Sequence, residues 1–356
     1  MPKVSVIIPL YNAASYVPDL KQLWEQTLQD FELILVDDCS TDDTWNKLQE
    51  FKAHNPERAI ILARNEHNLG PGGTRNHGLT KSSGEYVIFL DGDDRYDPTL
   101  LEKMSKRLDD THADLVCCGF TDQYNGVNNT HKFSQHAINA INKYNQNGGG
   151  YNDDLNLYIL SKILFQQVLF PYPWNKMALR SFLSSHHISF PEILCGEDRC
   201  WVVQMILKAR QIALLNDPLY HHIIGPNSIS AEKSVRALEA LFAQLEFEYQ
   251  TLNSSGLVTK LFLSWQRHFW NYIFFFHHKV AKYPSLQEQV LSRSADFCQT
   301  HAMPTVPNLL PIGSRIPCHK LIPKLFGLTR TRDQLKELYL LGSDLRRFQA
   351  LSQSSK

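Results

Sequence analysis

Residues 86–94 read YVIFLDGDD, in which five consecutive apolar residues lead into an acidic turn. Continuous apolar runs, rather than alternating ones, are typical of strands that are covered on both faces, as in a parallel sheet. Similar runs occupy residues 4–8, 33–36, 59–62 and, more weakly, 115–118. Helix-length segments lie between them, around residues 15–28, 42–52, 73–81 and 97–109. This alternation predicts a doubly wound, mainly parallel α/β sheet with helices on both faces.

Polar side chains follow three of these strands at the point where each strand ends. Tyr11 follows the first strand, Asp37 and Asp38 follow the second, and the acidic turn follows the fourth. Ligands of doubly wound sheets sit beyond the carboxyl ends of the strands. We therefore expect these groups to meet at one edge of the sheet, where they suit a nucleotide or a metal.

The acidic turn contains Asp91 and Asp93, separated by one glycine. Two carboxylates at this spacing can face one hard divalent cation, which would stabilise a departing diphosphate. Gly92 allows the backbone to approach a ligand closely. The alternative is an acidic turn that only caps the helix after Asp97, and by itself the motif does not decide between the two.

Two further segments suit a nucleotide. Asp37 and Asp38 emerge where a base could lie, and a carboxylate accepts hydrogen bonds from both uracil and ribose. Residues 68–76, NLGPGGTRN, form a glycine-rich turn that enters a helix, a position that favours a phosphate. Arg75, in the first turn of that helix, can clamp a phosphate or orient an acidic neighbour.

Together, the segments VSVIIPLYN, ILVDDCSTDDT, NLGPGGTRNHGL and YVIFLDGDD closely resemble, in this order, the family 2 inverting glycosyltransferases of the GT-A fold. The resemblance is strong over residues 3–120 and weaker to about 230. It implies that Pro9, Tyr11 and Asp38 hold the nucleoside and that Arg75 lies near the diphosphate. It also implies that Asp91 lies near the ribose and the metal, Mn²⁺ or Mg²⁺, and that Asp93 binds the metal.

The resemblance further implies a carboxylate base downstream. Glu197 and Asp198 open an apolar helix, and we assign the base to Asp198 with Glu197 as the substitute; both could instead only favour the helix N-terminus. Trp174 and Lys176 lie in a W-N-K segment of the kind found in bacterial members, where they could contact a sugar or phosphate. A core tryptophan and a solvated lysine are equally compatible with the sequence. His222 is a candidate metal ligand, with a structural histidine as the alternative.

The chain ends in a different kind of sequence. We predict a catalytic domain over residues 1–230, with a mobile insertion at 120–150, then a helical extension over 231–302. A proline-containing linker and a basic helix follow at 303–356. From residue 311 there are nine Lys and Arg against three Asp and Glu. This excess suggests an anionic partner such as a membrane surface or nucleic acid, and a solvated helical face is the alternative. The aromatic residues of 265–276 suggest a membrane or homodimer contact, or simply a core.

The whole-chain balance of 36 basic and 36 acidic residues is uninformative, and we predict no nucleic-acid partner. Seven cysteines without a C-x-x-C pair indicate reduced thiols. Neither a signal peptide nor a membrane-spanning segment is predicted, and the Q-x-x-R-W motif of processive family members is missing. We therefore predict a cytoplasmic enzyme, peripheral at the inner face of a bacterial membrane. It would move one hexose or N-acetylhexosamine from a UDP-sugar to a glycan or lipid-linked glycan. The alternatives are a non-catalytic binding module and a sugar-nucleotide pyrophosphorylase.

Overall fold

The computed structural model describes residues 1–124, 126–150, 154–165, 168–193, 195–224 and 234–303. The chain divides into two compact units, one comprising residues 1–231 and 246–248, the other residues 232–245 and 249–356. The predicted linker and basic helix beyond residue 303, and the prolines and cationic side chains within them, lie outside the described residues.

Within the described residues, the first unit contains one nine-stranded mixed sheet in the order β3-β2-β1-β4-β8-β6-β9-β5, with β7 paired to β6. The strands are β1 (Val4–Leu10), β2 (Phe31–Asp37), β3 (Ile60–Arg64), β4 (Tyr86–Phe89), β5 (Arg95–Tyr96), β6 (Leu115–Tyr124), β7 (Val127–His131), β8 (Lys176–Leu179) and β9 (Ile212–Ile223). The segment β3-β2-β1-β4 is parallel, and β6 pairs in parallel with β9.

The helices of this unit connect the strands. A 3₁₀ helix spans Val17–Glu25, and the α-helices are α1 (Thr44–Ala53), α2 (Gly70–Lys81), α3 (Leu100–Thr111), α4 (Gln135–Gln146), α5 (Asp154–Phe165), α6 (Arg180–Ser185) and α7 (Glu197–Lys208). Asp42 accepts a hydrogen bond from the amide of Thr44 at 3.0 Å, and so satisfies one of the free N–H groups at the start of α1.

The continuous apolar runs of the sequence become strands that are buried on both faces. Val6, Ile8, Leu33, Leu35 and Ile88 are all completely inaccessible to solvent. Removing this much apolar surface from water is the main stabilising contribution to the fold. The predicted α/β class is confirmed, because all five predicted strands are present in one sheet and helices connect them.

The polar segment that we expected to be a mobile insertion, residues 120–150, is largely regular structure. It completes β6, turns into β7 and then forms α4, whose side chains Ala137, Ala140, Ile141 and Tyr144 are buried. The hydroxyl of Tyr144 donates a hydrogen bond to the carbonyl of Ala209 at 2.7 Å. The polar residues that suggested mobility occupy the exposed faces of β7 and α4.

The second unit is helical, as predicted for the extension, with α8 (Val235–Ser254), α9 (Phe262–Lys279) and α10 (Pro284–Thr300). Several aromatic residues of α9 face inward: Trp265 and Phe269 are fully buried, and the Phe269 ring stacks on Phe297 with centroids 4.9 Å apart. Phe275 is 72% exposed. Among the described helices, none combines the length and the apolar character needed to cross a bilayer.

Candidate active site

The acidic turn after β4 is held from two sides. Asp94 is buried and accepts hydrogen bonds from the amide of Ile223, at 2.7 Å, and from the hydroxyl of Tyr220. The hydroxyl of Tyr96 donates to the carbonyl oxygen of Asp91 at 2.6 Å. Burial, reinforced by repulsion from Asp91, raises the pKa of Asp94 to about 8. Asp94 therefore anchors the turn to β9 and leaves Asp91 and Asp93 at its open side.

The donor set of this turn fits a hard divalent cation. Asp93 is exposed, yet nearby protein atoms desolvate its carboxylate and, together with repulsion from Asp91, raise its pKa. Carboxylates crowded in this way gain from a cation between them. The part of the chain that the structure describes contains no cluster of three or more His, Cys, Asp or Glu residues arranged around a metal position. Mg²⁺ commonly uses one or two carboxylates, water and substrate phosphates, and Asp91 and Asp93 offer two such carboxylates.

Gly92 lies against the apolar core of the sheet. A Cβ atom built on it would lie 3.0 Å from Cδ2 of Leu10, within the buried side of the turn. The missing side chain therefore lets the turn pack closely on the apolar core.

Arg75 joins the acidic turn to the predicted base. Its two terminal nitrogens donate to Asp91, at 2.9 Å, and to Asp198, at 2.8 Å, and Glu197 lies 3.5 Å away. The side chain is only 4% exposed. Burial acts to lower the pKa of this guanidinium, but the three carboxylates outweigh it and raise that pKa, so the charge is fixed. One guanidinium thus holds groups that are 16 and 123 residues away along the chain.

The glycine-rich turn explains how this contact is reached. A Cβ atom on Gly72 would lie 2.9 Å from Cγ of Glu197, so only glycine lets the start of α2 approach α7 this closely. The helix α7 begins after Gly196, which adopts a left-handed φ of 88°. Gly72 and Gly196 therefore help to position Arg75 against the two acidic residues.

Burial dominates the electrostatics of the acidic pair at the start of α7. Desolvation raises the pKa of Asp198 above its ordinary value, and Arg75 only partly offsets the effect. Desolvation and repulsion from Asp198 likewise raise the pKa of Glu197. A carboxylate whose pKa is moved toward neutrality is a better proton acceptor than an ordinary one, which is what general-base catalysis requires.

The groups expected to hold the nucleoside lie at the ends of β1 and β2. Tyr11 is 50% exposed, and Pro9 lies one residue before the end of β1. Asp37 is buried and paired with Arg64 at 2.9 Å. Asp38 accepts from the side chain of Asn65 at 2.7 Å and from the amide of Leu69 at 2.8 Å. In this structure the described bonds of Asp38 use one oxygen, Oδ1, to fix the loop before α2.

Trp174 and Lys176 are both buried. Trp174 is 3% exposed and stacks on Tyr220 and Tyr172, with centroids 4.3 and 4.6 Å away, so it is a core residue rather than a sugar platform. Lys176 is 1% exposed and donates to the carbonyls of Phe170 and Tyr172 and to the side chain of Asn175. Burial lowers its pKa. Neither a solvated lysine nor a phosphate contact describes this environment.

His222 lies at the end of β9, beside the acidic turn. Its ring stacks on Trp174 with centroids 5.6 Å apart, and its Nδ1 lies 2.9 Å from Oδ1 of Asp122. The other oxygen of Asp122 lies 2.8 Å from Nε2 of His131. Sequence reasoning overlooked Asp122 and His131 because they fall in the segment that we interpreted as an insertion. It also overlooked Tyr220, although this residue directly precedes His221 and His222.

Comparison with known proteins agrees with the fold and the motifs. The family model described as Glycosyl transferase family 2 matches residues 5–186, just over half of the chain. EpsH of Bacillus subtilis, named as a glycosyltransferase, is 28% identical over 249 residues, which cover 69% of this chain and 67% of that protein. The cholesterol galactosyltransferase of Borreliella burgdorferi is 28% identical over 234 residues, covering 65% of this chain and 63% of its own length.

Among solved structures, Staphylococcus aureus TarS 1-349 in complex with UDP-GlcNAc superposes with a TM-score of 0.51 at 23% identity, covering 82% of this chain and 83% of that one. At this identity the likeness concerns the fold, and it confirms the predicted GT-A-like architecture with a helical C-terminal region. The motif order, the fold and the family match lead to one conclusion: the chain belongs to glycosyl transferase family 2 and is a glycosyltransferase.

Proposed function

We propose that this glycosyltransferase is metal-dependent and inverting, and that it transfers one hexose or N-acetylhexosamine from a UDP-sugar to an acceptor hydroxyl. The observation that carries the proposal is the position of Arg75, whose two terminal nitrogens bind Asp91 and Asp198 at 2.9 and 2.8 Å. Asp91 suits the cation that would bind the donor diphosphate, and Asp198 suits the deprotonation of an acceptor. Both carboxylates thus contact the same guanidinium. Direct displacement needs both of them on the two sides of one anomeric carbon.

The chain's own residues divide the reaction between them. Asp198 accepts the proton of the acceptor hydroxyl, the freed oxygen bonds to the anomeric carbon, and the bond from that carbon to the diphosphate breaks. A divalent cation held by Asp91 and Asp93 would, when bound, neutralise the charge of the leaving diphosphate. Arg75 fixes the relative positions of Asp91 and Asp198. Tyr11 offers an exposed ring to the nucleoside. A single displacement inverts the configuration.

The relatives support a role in bacterial surface glycan synthesis. The matched TarS structure contains UDP-GlcNAc, and an aligned Campylobacter jejuni protein, 34% identical over 114 residues, is named as a glucosyltransferase acting on an undecaprenol-linked glycan. The bound UDP-GlcNAc supports a UDP-sugar donor for this chain, and the name of the Campylobacter protein supports a glycan or lipid-linked acceptor. We extend the proposal to action at the inner face of the bacterial membrane, where such acceptors would be assembled.

Calorimetric titration with UDP, with and without Mn²⁺, tests the metal and the nucleotide together. We expect Mn²⁺ to strengthen UDP binding to the wild type, and Asp93→Ala to abolish this increment without unfolding the chain, because the substitution removes an exposed carboxylate. Asp217→Asn makes the same charge change at a distant exposed aspartate of β9 and should behave as wild type. Equal UDP affinity for wild type and Asp93→Ala in Mn²⁺ would refute the metal assignment.

A panel of nucleotide-sugars, assayed first for hydrolysis and then for transfer, identifies the donor. Proton NMR of the transfer product then gives the anomeric configuration. An inverted product supports a single displacement by the acceptor oxygen, with Asp198 as the base. A product that retains the donor configuration would exclude the mechanism, whatever the sugar.

A further inference from the structure

The segment that follows β1 is bonded to the loop that follows β2. The amide of Asn12 donates to Oγ of Ser40 at 2.9 Å, and the amide of Ala13 donates to Oγ1 of Thr44 at 2.8 Å. Both amides lie beyond the end of β1, so side chains of the neighbouring loop supply the acceptors that a strand would otherwise provide. The two loops at this edge of the sheet are therefore held side by side.

The side chain of Asn12 bonds to the same loop. Its Oδ1 accepts from the amide of Thr41 at 2.9 Å, from the hydroxyl of Thr41 at 3.2 Å and from the amide of Asp42 at 3.4 Å. Asn12 adopts a left-handed φ of 48°, which asparagine tolerates better than most residues that carry a Cβ atom. Asn12 therefore joins the end of β1 to the loop after β2 through both its backbone and its side chain.

Tyr11 lies between two contacts with this loop. On one side the carbonyl of Leu10 accepts from the amide of Asp38 at 2.8 Å, and on the other side stand the bonds of Asn12. The ring of Tyr11 is half exposed, and within the described part of the chain its side chain makes no hydrogen bond and stacks on no other ring. The direction of this ring therefore depends on the backbone that carries it.

We propose that Asn12 is a positioning residue that fixes the backbone of Tyr11, so that the exposed ring is already directed at the nucleoside of the donor. The inference rests on the proposed function, in which Tyr11 contacts that nucleoside. A ring that is ordered beforehand loses less conformational freedom when the ligand binds, and affinity rises accordingly. In a purely structural role, the bonds of Asn12 would only tie two loops together. The two roles differ in whether the loss of Asn12 alters binding through Tyr11.

The first test is calorimetric titration with UDP. Asn12→Gly keeps the left-handed backbone but removes the acceptor, Asn12→Ala also disfavours that backbone, and Asn12→Asp keeps an oxygen acceptor. We expect the Gly and Ala variants to bind UDP about 10-fold more weakly, the equivalent of one net hydrogen bond, and the Asp variant to lose less. Asn46→Ala removes an exposed side chain of α1 that donates to Asp43, and this matched control should bind as the wild type does. Wild-type affinity in Asn12→Gly would overturn the proposal, even if Asn12→Ala folds poorly.

The second test determines whether the effect of Asn12 passes through the ring. In the Tyr11→Ala background, Asn12→Gly should weaken UDP binding by less than about twofold, because no ring is left to position. A further loss of about 10-fold in that background would mean that the two substitutions act independently, and the proposal would be wrong. The same titrations in Mn²⁺ give a second measurement. The factor by which Mn²⁺ strengthens UDP binding should be equal in Asn12→Gly and the wild type, and a smaller factor would indicate a general disturbance of the site instead.

Tyr11→Ala alone distinguishes a failure of this inference from a failure of the proposed function. If Tyr11→Ala binds UDP as the wild type does, the nucleoside role of Tyr11 in the proposed function is wrong, and the inference falls with it. If Tyr11→Ala weakens binding and Asn12→Gly does not, the nucleoside role stands and the positioning role is wrong. With the donor identified, Asn12→Gly should raise KM for the donor about 10-fold and leave kcat within about twofold. A fall in kcat at unchanged KM would contradict a role in positioning the nucleoside.

Discussion

The surroundings of Arg75 and of Lys176 differ sharply, although both cations are almost completely buried. Arg75 lies among three carboxylates that come from the acidic turn and from the start of α7. Lys176 lies among two backbone carbonyls and an amide oxygen, all within six residues of it along the chain. From sequence alone both were candidates for contact with a phosphate or an acid.

The difference shows what a buried charge does in each place. A cation bound by carboxylates from distant segments fixes the relative positions of groups that carry chemistry, and it has its charge balanced. A cation bound by neutral oxygens of its own loop stabilises that loop, but these oxygens offset its loss of hydration less than carboxylates would. Burial therefore lowers the pKa of Lys176. Changes near Arg75 should therefore alter catalysis, and changes at Lys176 should alter stability.

The largest effect is expected at Asp198. Asp198→Asn should keep donor affinity but lower the rate of transfer by at least about 100-fold, because the general base is lost. Steady-state kinetics with the identified donor, together with UDP titration, measures the two quantities separately.

Glu197→Gln is the matched control for that experiment, since it removes the neighbouring carboxylate on the same helix turn. We expect a smaller loss of rate from it. If Asp198→Asn retains most activity and Glu197→Gln does not, the base is Glu197, and Arg75 then orients Asp198 rather than holding the base.

At Lys176 the expected effect is on folding. Lys176→Met leaves the carbonyls of Phe170 and Tyr172 without this donor, which should lower the free energy of unfolding by about 2 kcal/mol. Urea denaturation measures it, with exposed Lys103→Met as a control expected to change stability by less than about 0.5 kcal/mol. A loss of UDP affinity at unchanged stability would instead mean that Lys176 contacts the ligand.

The pH dependence of activity should reflect the desolvated base. Burial raises the pKa of Asp198, so its protonated, inactive form persists to a higher pH than for an ordinary aspartate, whose pKa is roughly 3.9. As pH rises through the raised pKa, kcat/KM should increase, by about tenfold per unit below it. The residual activity of Asp198→Asn should lack this ascending limb. A flat profile in the wild type down to pH 5 would contradict a raised pKa.

Features that depend on neighbouring residues could be predicted from the sequence, whereas contacts between residues far apart along the chain could not. The five strands and the polar residues at their ends were predictable, because apolar runs and turn residues act locally. The partners of Arg75 were not, because Asp198 lies 123 residues away and meets it only after α2 and α7 pack through Gly72. The contacts of Asp122 with His131 and His222 were not predictable either, because its polar neighbours resemble a loop. The burial of Trp174 and Lys176 depends on the sheet being complete.

The smallest effect is expected at Phe275 on α9. It tests whether an exposed aromatic side chain of the helical unit contributes less to stability than a buried one. Phe269 is buried against Phe297, whereas Phe275 is 72% exposed. Phe269→Ala should cost about 3–5 kcal/mol of unfolding free energy, whereas Phe275→Ser should change it by less than about 0.5 kcal/mol.

If the aromatic stretch serves as a core, Phe275→Ser should also leave co-sedimentation with anionic vesicles as it is in the wild type. If it contacts a membrane, the outward ring is the part of α9 best placed to enter the interface, and its loss should reduce vesicle binding at a salt concentration where electrostatic attraction is screened.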